Sequence, residues 1–186
     1  MVAVGVTGHR QLPHLKIAAL AVDIAMEKII NCFGGESLSV ISPLAEGADR
    51  LVAERALEKY DVKLIVPLPL EIEDYLLDFT SESSKQSFRQ LLQRAGSIIH
   101  LPVQEPRMNG YLAAGMYTLK HCDVLLALWD GQPPRGIGGT GQIVAEARKQ
   151  GKPLVWIKTE HREKEQTEIG VIESRIHYER MPSADI

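Results

Sequence analysis

The chain has 186 residues and a mass of 20.6 kDa, enough for one ordinary domain and too few for two. Its residues are 45% hydrophobic and 24% charged, with 21 Lys and Arg against 24 Asp and Glu, for a net charge of −3. That balance excludes an overall positive field for duplex DNA or an anionic bilayer, and a chain of this length can bury a core without a disulfide scaffold or structural metal.

In chain order, the β-branched run 2–7 predicts a strand, Gly8 to Arg10 a turn, and residues 12–30 a helix with Pro13 in its first turn and Gly34-Gly35 at its end. A second strand over 38–42 is stopped by Pro43 and followed by a helix over 46–60. The third strand, 62–66, is closed by Pro67 and Pro69, and an irregular stretch fills 71–84. Residues 87–95 read as a helix, 97–101 as a brief strand, and 111–122 as another helix. Residues 124–129 are apolar without alternation, which predicts a central parallel strand covered on both faces. A glycine-rich loop over 130–141, a helix over 142–150 and a strand over 153–157 complete the pattern.

These strand-to-helix returns predict an α/β fold, a Rossmann-like, doubly wound, mainly parallel sheet with helices on both faces. Residues 1–157 form the expected domain, and 158–186 a charged C-terminal extension packed on it or trailing from it. Within the extension, 158–168 reads as a solvated charged segment, 169–178 as one short strand or helix, and 181–186 as a fraying end. No apolar run approaches the ~18 residues of a membrane span. With no basic leader before the first strand, the expected location is the cytoplasm.

Three polar, glycine-bearing loops follow predicted strands, and a parallel sheet places such loops along one edge. In the first, Thr7 and free amides offer hydrogen bonds to phosphate or ribose, Gly8 allows close approach, and His9 and Arg10 complement an anion. The second runs from Ser42 through Glu46, Gly47 and Asp49. Its acids suit a helix entrance, a ribose contact or activation of water, and Glu46 and Asp49 are the candidate catalytic carboxylates. The third carries Asp130, Gly131, Gly138, Gly139, Thr140 and Gly141, an anion nest before a helix.

No Lys-Ser or Lys-Thr follows those glycines, so this is not a Walker A loop, and the first loop lacks the three-glycine dinucleotide pattern. Trp129 reads as core. The six histidines and two cysteines make no zinc spacing, so no metal site is expected.

Gly-Val-Thr-Gly-His-Arg at 5–10, Leu-Ala-Glu-Gly-Ala-Asp-Arg at 44–50, and Trp-Asp-Gly at 129–131 followed by Gly-Gly-Thr-Gly at 138–141 resemble the SLOG superfamily. That grouping joins Smf-type DNA-processing domains, cytokinin-activating phosphoribohydrolases and nucleotide-sensing domains. The resemblance spans residues 2–157 and implies a Rossmann-like pocket for nucleotides or ribosyl ligands. It places Thr7, Gly8, Arg10, Glu46, Gly47, Asp49, Asp130 and 138–140 at that pocket, and implies assembly into homo-oligomers. In the phosphoribohydrolase branch a glutamate follows the Gly-Thr signature by three residues, whereas Ile143 stands there in this chain. Glu146 is six positions after Thr140 and does not share its helix face. A partial resemblance to nucleoside deoxyribosyltransferases shows a similar mismatch.

The expected function is therefore binding of a nucleotide or phosphate-bearing ribosyl ligand, as a sensor or carrier, with no cofactor beyond a divalent cation accompanying the nucleotide. The alternatives are hydrolysis or transfer at a nucleotide N-glycosidic bond, and binding of single-stranded nucleic acid. The net charge weighs against nucleic acid as a partner.

Overall fold

The computed structural model describes residues 1–34, 37–134, 136–159 and 169–183. Gly35, Glu36, Arg135 and the segments 160–168 and 184–186 lie outside the described residues, and with them most of the predicted charged segment and frayed end.

β1 (Val2–Gly8), β2 (Leu38–Ile41), β3 (Val62–Leu68), β4 (Ser97–His100), β5 (Val124–Trp129), β6 (Leu154–Lys158) and β7 (Ile176–Glu179) make one sheet in the order β4-β3-β2-β1-β5-β6-β7. All neighbours are parallel except β6 and β7. The chain builds outward from β1 to β4 and then returns to the other side of β1 with β5. Strand order therefore reverses between β1 and β5, and a crevice opens at their carboxyl ends.

The intervening helices are α1 (Leu15–Phe33), α2 (Ala48–Lys59), α3 (Ile72–Leu76), α4 (Glu82–Gln93), α5 (Met108–His121), α6 (Thr140–Lys149) and α7 (Ile169–Glu173). Every residue of β5 is buried. Val124, Leu126 and Leu128 pack with residues of α1, α2 and α4, while Leu125, Ala127 and Trp129 pack with Leu119 of α5 and Ile143, Val144 and Ala147 of α6. An unbroken apolar run is what a strand needs when both faces are covered. Among the described residues, no helix is long and apolar enough to cross a membrane.

Local departures from the sequence reading have identifiable causes. Pro13 precedes α1 instead of opening it, because His14 takes a left-handed conformation (φ 51°) and the helix starts at Leu15. β3 continues through Pro67, since β2 pairs only as far as Ile65 and beyond it Pro67 is flanked by β4 alone. α4 starts five residues early because the Ser81 hydroxyl accepts the Ser84 amide as an N-cap. Residues 169–178 hold both a short helix and part of a strand, and β7 docks antiparallel on β6.

α1 and α2 are joined by Asp23, which is 6% exposed. Arg55 donates to both its oxygens, at 3.0 and 2.6 Å, and the Lys59 ammonium lies 2.9 Å away. Burial pushes this carboxyl upward, but the hydrogen bonds from Arg55 and Lys59 outweigh burial and hold it below the ordinary carboxylate value. A depressed folded value contributes stability above the unfolded pKa, and that stability is lost as pH falls through the folded one. Asp23→Ala is expected to cost about 2 kcal/mol at pH 7, between the values for exposed and fully buried pairs, and less at pH 3. Urea unfolding at both pH values checks this; an equal loss at each would contradict it.

Candidate functional site

A cleft of about 270 Å³ lies at the carboxyl ends of β1 and β5, close to the lower end of small-molecule sites, which begin near ~300 Å³. All three loops reach it. Thr7, Gly8, His9 and Arg10 come from the first, Asp49 from the second, and Asp130, Gly138, Gly139, Thr140 and Gly141 from the third. Tyr75 of α3, Tyr111 of α5 and Trp129 of β5 add aromatic side chains to the wall. Ser42, Glu46, Gly47 and Gly131 are not part of its lining.

The first loop is fixed by its backbone. The His9 amide donates to the Leu128 carbonyl (3.1 Å), and the Ala48 amide donates to the His9 carbonyl (3.0 Å), so the turn is tied to β5 and α2 together. A Cβ on Gly8 would stand 2.3 Å from Ala48 Cβ and 2.8 Å from the Leu128 carbonyl oxygen. The glycine thus answers to the close approach of α2, whereas the sequence reading assigned that space to a ligand. His9 Nε2 lies 3.1 Å from the Asp130 amide nitrogen and 3.0 Å from Asp130 Oδ1. It accepts from the amide when Nε2 is bare and donates to the carboxylate when Nε2 carries a proton. Arg10 is 3.8 Å from Asp78, and its guanidinium sits 5.5 Å above the Tyr111 ring.

In the second loop, the Ser42 hydroxyl donates to the Asp49 carbonyl (3.1 Å) and accepts the Leu44 amide (3.2 Å), which holds the turn closed. Gly47 has φ +82°, and a Cβ there would meet the carbonyl oxygens of Arg10 and His9 at 2.3 and 2.4 Å. Glu46 precedes α2, and its Oε1 accepts the Thr80 amide and hydroxyl, both at 3.1 Å, together with the Ser84 hydroxyl. Burial pushes its carboxyl up, but the bonds from Ser84 and Thr80 prevail and lower it. Glu46 therefore anchors the approach to α4 and not the cleft.

Asp49 is one turn further on, 7% exposed, and Oδ2 accepts the Ala45 amide at 3.3 Å. Burial pushes its carboxyl up to about 7, against the Ala45 hydrogen bond and the Arg10 and Arg50 charges. A carboxyl on a cleft wall that titrates near neutrality is a candidate for proton transfer or ligand recognition.

The third loop also places its glycines by packing. Gly138 (φ +77°) would press a Cβ to 2.7 Å from the Leu112 amide nitrogen, and its own amide donates to Gln142 Oε1 at 2.8 Å. A Cβ on Gly141 would lie 2.9 Å from the Pro134 nitrogen. Gly131 packs outside the cleft against Trp156. α6 begins at Thr140 with no side-chain cap, and the amides of Thr140 and Gly141 donate to no described residue. They leave donors at the positive end of a ten-residue helix on the cleft wall. Trp129 is 8% exposed within the core, and its indole N–H donates to the Gln132 carbonyl at 3.0 Å.

Tyr75 and Tyr111 escaped the sequence reading. Tyr75 comes from the stretch that lacks periodicity, and Tyr111 shows only a helical packing pattern. The Tyr111 hydroxyl donates to Asp78 Oδ2 at 2.5 Å and accepts from Arg107 Nε at 2.9 Å. Arg107 Nη2 in turn reaches Asp78 Oδ1 at 2.6 Å and the Asp74 carbonyl at 2.7 Å. Among the described residues no group of three or more His, Cys, Asp or Glu is arranged to hold a metal ion.

No family model matches the chain, and no curated protein matches its sequence. Among solved structures, it is similar to the X-ray structure of DNA processing protein A (DprA) from Streptococcus pneumoniae, with 18% identity and a TM-score of 0.57. The likeness covers 88% of this chain and 52% of the other, so the chain spans about half the length of that protein. At this identity the match shows the fold alone, a Rossmann-like α/β architecture.

Proposed function

We propose that this Rossmann-like domain binds a nucleotide or another phosphate-bearing ribosyl ligand in the cleft between β1 and β5, as a sensor or carrier. One observation carries the reading: Thr140 and Gly141, whose amides donate to no described residue, line the same cleft as Arg10. Amides at a positive helix end and a guanidinium both favour an anion with several acceptor oxygens. The hydroxyls of Thr7 and Thr140 add donors on the same wall. A divalent cation arriving with a nucleotide would take most of its ligands from phosphate and water. Calorimetry with mononucleotides, cyclic nucleotides and ADP-ribose is the test. Saturable binding of at least one is expected, and no heat from any at millimolar concentration would contradict the proposal.

A second reading, cleavage or transfer at a nucleotide N-glycosidic bond, draws support from Asp49, whose carboxyl is pushed to about 7 inside the cleft. There it would serve as general acid or base while Arg10 and the α6 amides hold the phosphate. Product-resolved turnover lost in Asp49→Asn with binding retained would support this role, and turnover unchanged by that substitution would reject it. A protein of similar fold is named a DNA processing protein. For single-stranded nucleic acid, however, a basic groove is the usual requirement, and Arg10 is the one Lys or Arg among the described residues that line this cleft.

A further inference from the structure

Tyr75 and Asp49 are the most deeply buried polar side chains among the described residues of the cleft wall, at 1% and 7% exposure. The ring of Tyr75 is enclosed by Phe79, with centroids 5.0 Å apart, and by Phe88, edge-on at 5.6 Å. Tyr75 lines the cleft, and its hydroxyl makes no hydrogen bond to a described residue, in contrast to Tyr111, whose hydroxyl is held at both sides. Asp49 uses Oδ2 for the Ala45 amide, and Oδ1 takes no hydrogen bond from a described residue. Arg10 and Arg50 face both groups, and the Asp49 charge helps push the Tyr75 phenol upward, after burial, so that it keeps its proton.

Neither the Tyr75 hydroxyl nor Asp49 Oδ1 is among the fully buried unpartnered side-chain atoms of the described residues, so both stay open to a ligand atom that accepts from one and donates to the other. An alcohol does this through one oxygen. A phosphate oxygen can accept from the phenol but is repelled by the carboxylate, and an ammonium can donate only to the carboxylate. A nucleobase edge offers a donor and an acceptor as well, yet Tyr75 has no free ring face on which a base would stack.

We infer that Asp49 and Tyr75 form a hydroxyl-reading subsite, which selects the sugar alcohol of a ribosyl phosphate whose anion lies at the Thr140 and Gly141 amides. The inference rests on the reading of the cleft as a phosphate and ribosyl site, and it assigns Tyr75 a role in specificity.

The experiment compares two probes by calorimetry at pH 8: ribose 5-phosphate, and tetrahydrofurfuryl phosphate, which has the same ring and phosphate without the ring hydroxyls. The wild-type chain is expected to prefer ribose 5-phosphate by about tenfold or more. Tyr75→Phe and Asp49→Asn, each near-isosteric, are both expected to reduce that preference to about threefold or less. A purely structural role for these side chains would weaken both probes equally and leave the ratio unchanged, which would overturn the inference. Equal wild-type affinity for the two probes would also overturn it while leaving the anion site standing. Failure of both probes to bind would instead remove the cleft reading, and the subsite with it. If Asp49→Asn does not fold, Tyr75→Phe, which keeps the ring in its aromatic cluster, decides the question alone.

Discussion

Gly47→Ala is expected to lower the stability of the chain by about 3–5 kcal/mol, visible as a fall of about 10 °C in the thermal midpoint for a domain of this size. Two causes add. The backbone at Gly47 (φ 82°, ψ −120°) lies where an L side chain is strained by about 1–3 kcal/mol. The new methyl would also overlap the Arg10 and His9 carbonyl oxygens at 2.3 and 2.4 Å. Relief requires the first loop to move away from the second, so the variant should also lose affinity for any ligand gripped by Arg10. Differential scanning calorimetry reads the first effect. A midpoint within about 2 °C of wild type would mean that the two loops are not held against one another in solution.

Asp49→Asn is expected to act in the opposite direction. Its folded carboxyl is raised to about 7 by burial, against about 3.9 in an unfolded chain. Between those values the folded protein holds a proton that the unfolded chain has released, so stability falls as pH rises from about 4 to about 7 and is level above. Asparagine keeps an oxygen for the Ala45 amide and carries no charge to bury. At pH 8 the variant should therefore be more stable than wild type by about 2–4 kcal/mol, while at pH 4 the two should nearly coincide. Urea unfolding at the two pH values measures the difference. A variant equally stabilised or equally destabilised at both would show that Asp49 is not held with a raised pKa. Stability withheld by a buried carboxylate at neutral pH is expected when a residue is retained for binding or chemistry.

The sheet could be read from the sequence because its signals are local. Six consecutive apolar residues at 124–129 are enough to place a central strand, and parallel connectivity then aligns the loops after β1, β2 and β5 at one edge. Convergence of Thr7–Arg10 with Thr140–Gly141 follows from that topology. The division of labour between Glu46 and Asp49 does not. Their spacing suits one helix face, but α2 begins at Ala48, so Glu46 lies before the helix and reaches Thr80 and Ser84, while Asp49 turns inward. Where a helix starts depends on tertiary anchors such as the Ala48 amide on the His9 carbonyl, a contact across 39 residues of chain.

The glycines show a different limit. Gly8 reads in the sequence as room for a ligand, and Gly138 and Gly141 as parts of an anion nest, yet a Cβ at each would come within 3 Å of another part of the chain: Ala48, Leu112 and Pro134 in turn. Composition identifies a position that needs glycine, and only coordinates identify what approaches it. Tyr75 lay beyond any periodic signal, because α3 is five residues long and its register is fixed by Phe79 and Phe88.

Amide chemical-shift mapping of the ¹⁵N-labelled chain during titration with ribose 5-phosphate is the most direct test that the three loops form one ligand site. The account predicts that the largest shifts fall on Thr140 and Gly141, with coupled shifts at Thr7, Arg10 and Asp49, all saturating with a single dissociation constant. Shifts confined to another surface, or separate saturation of the first and third loops, would contradict it.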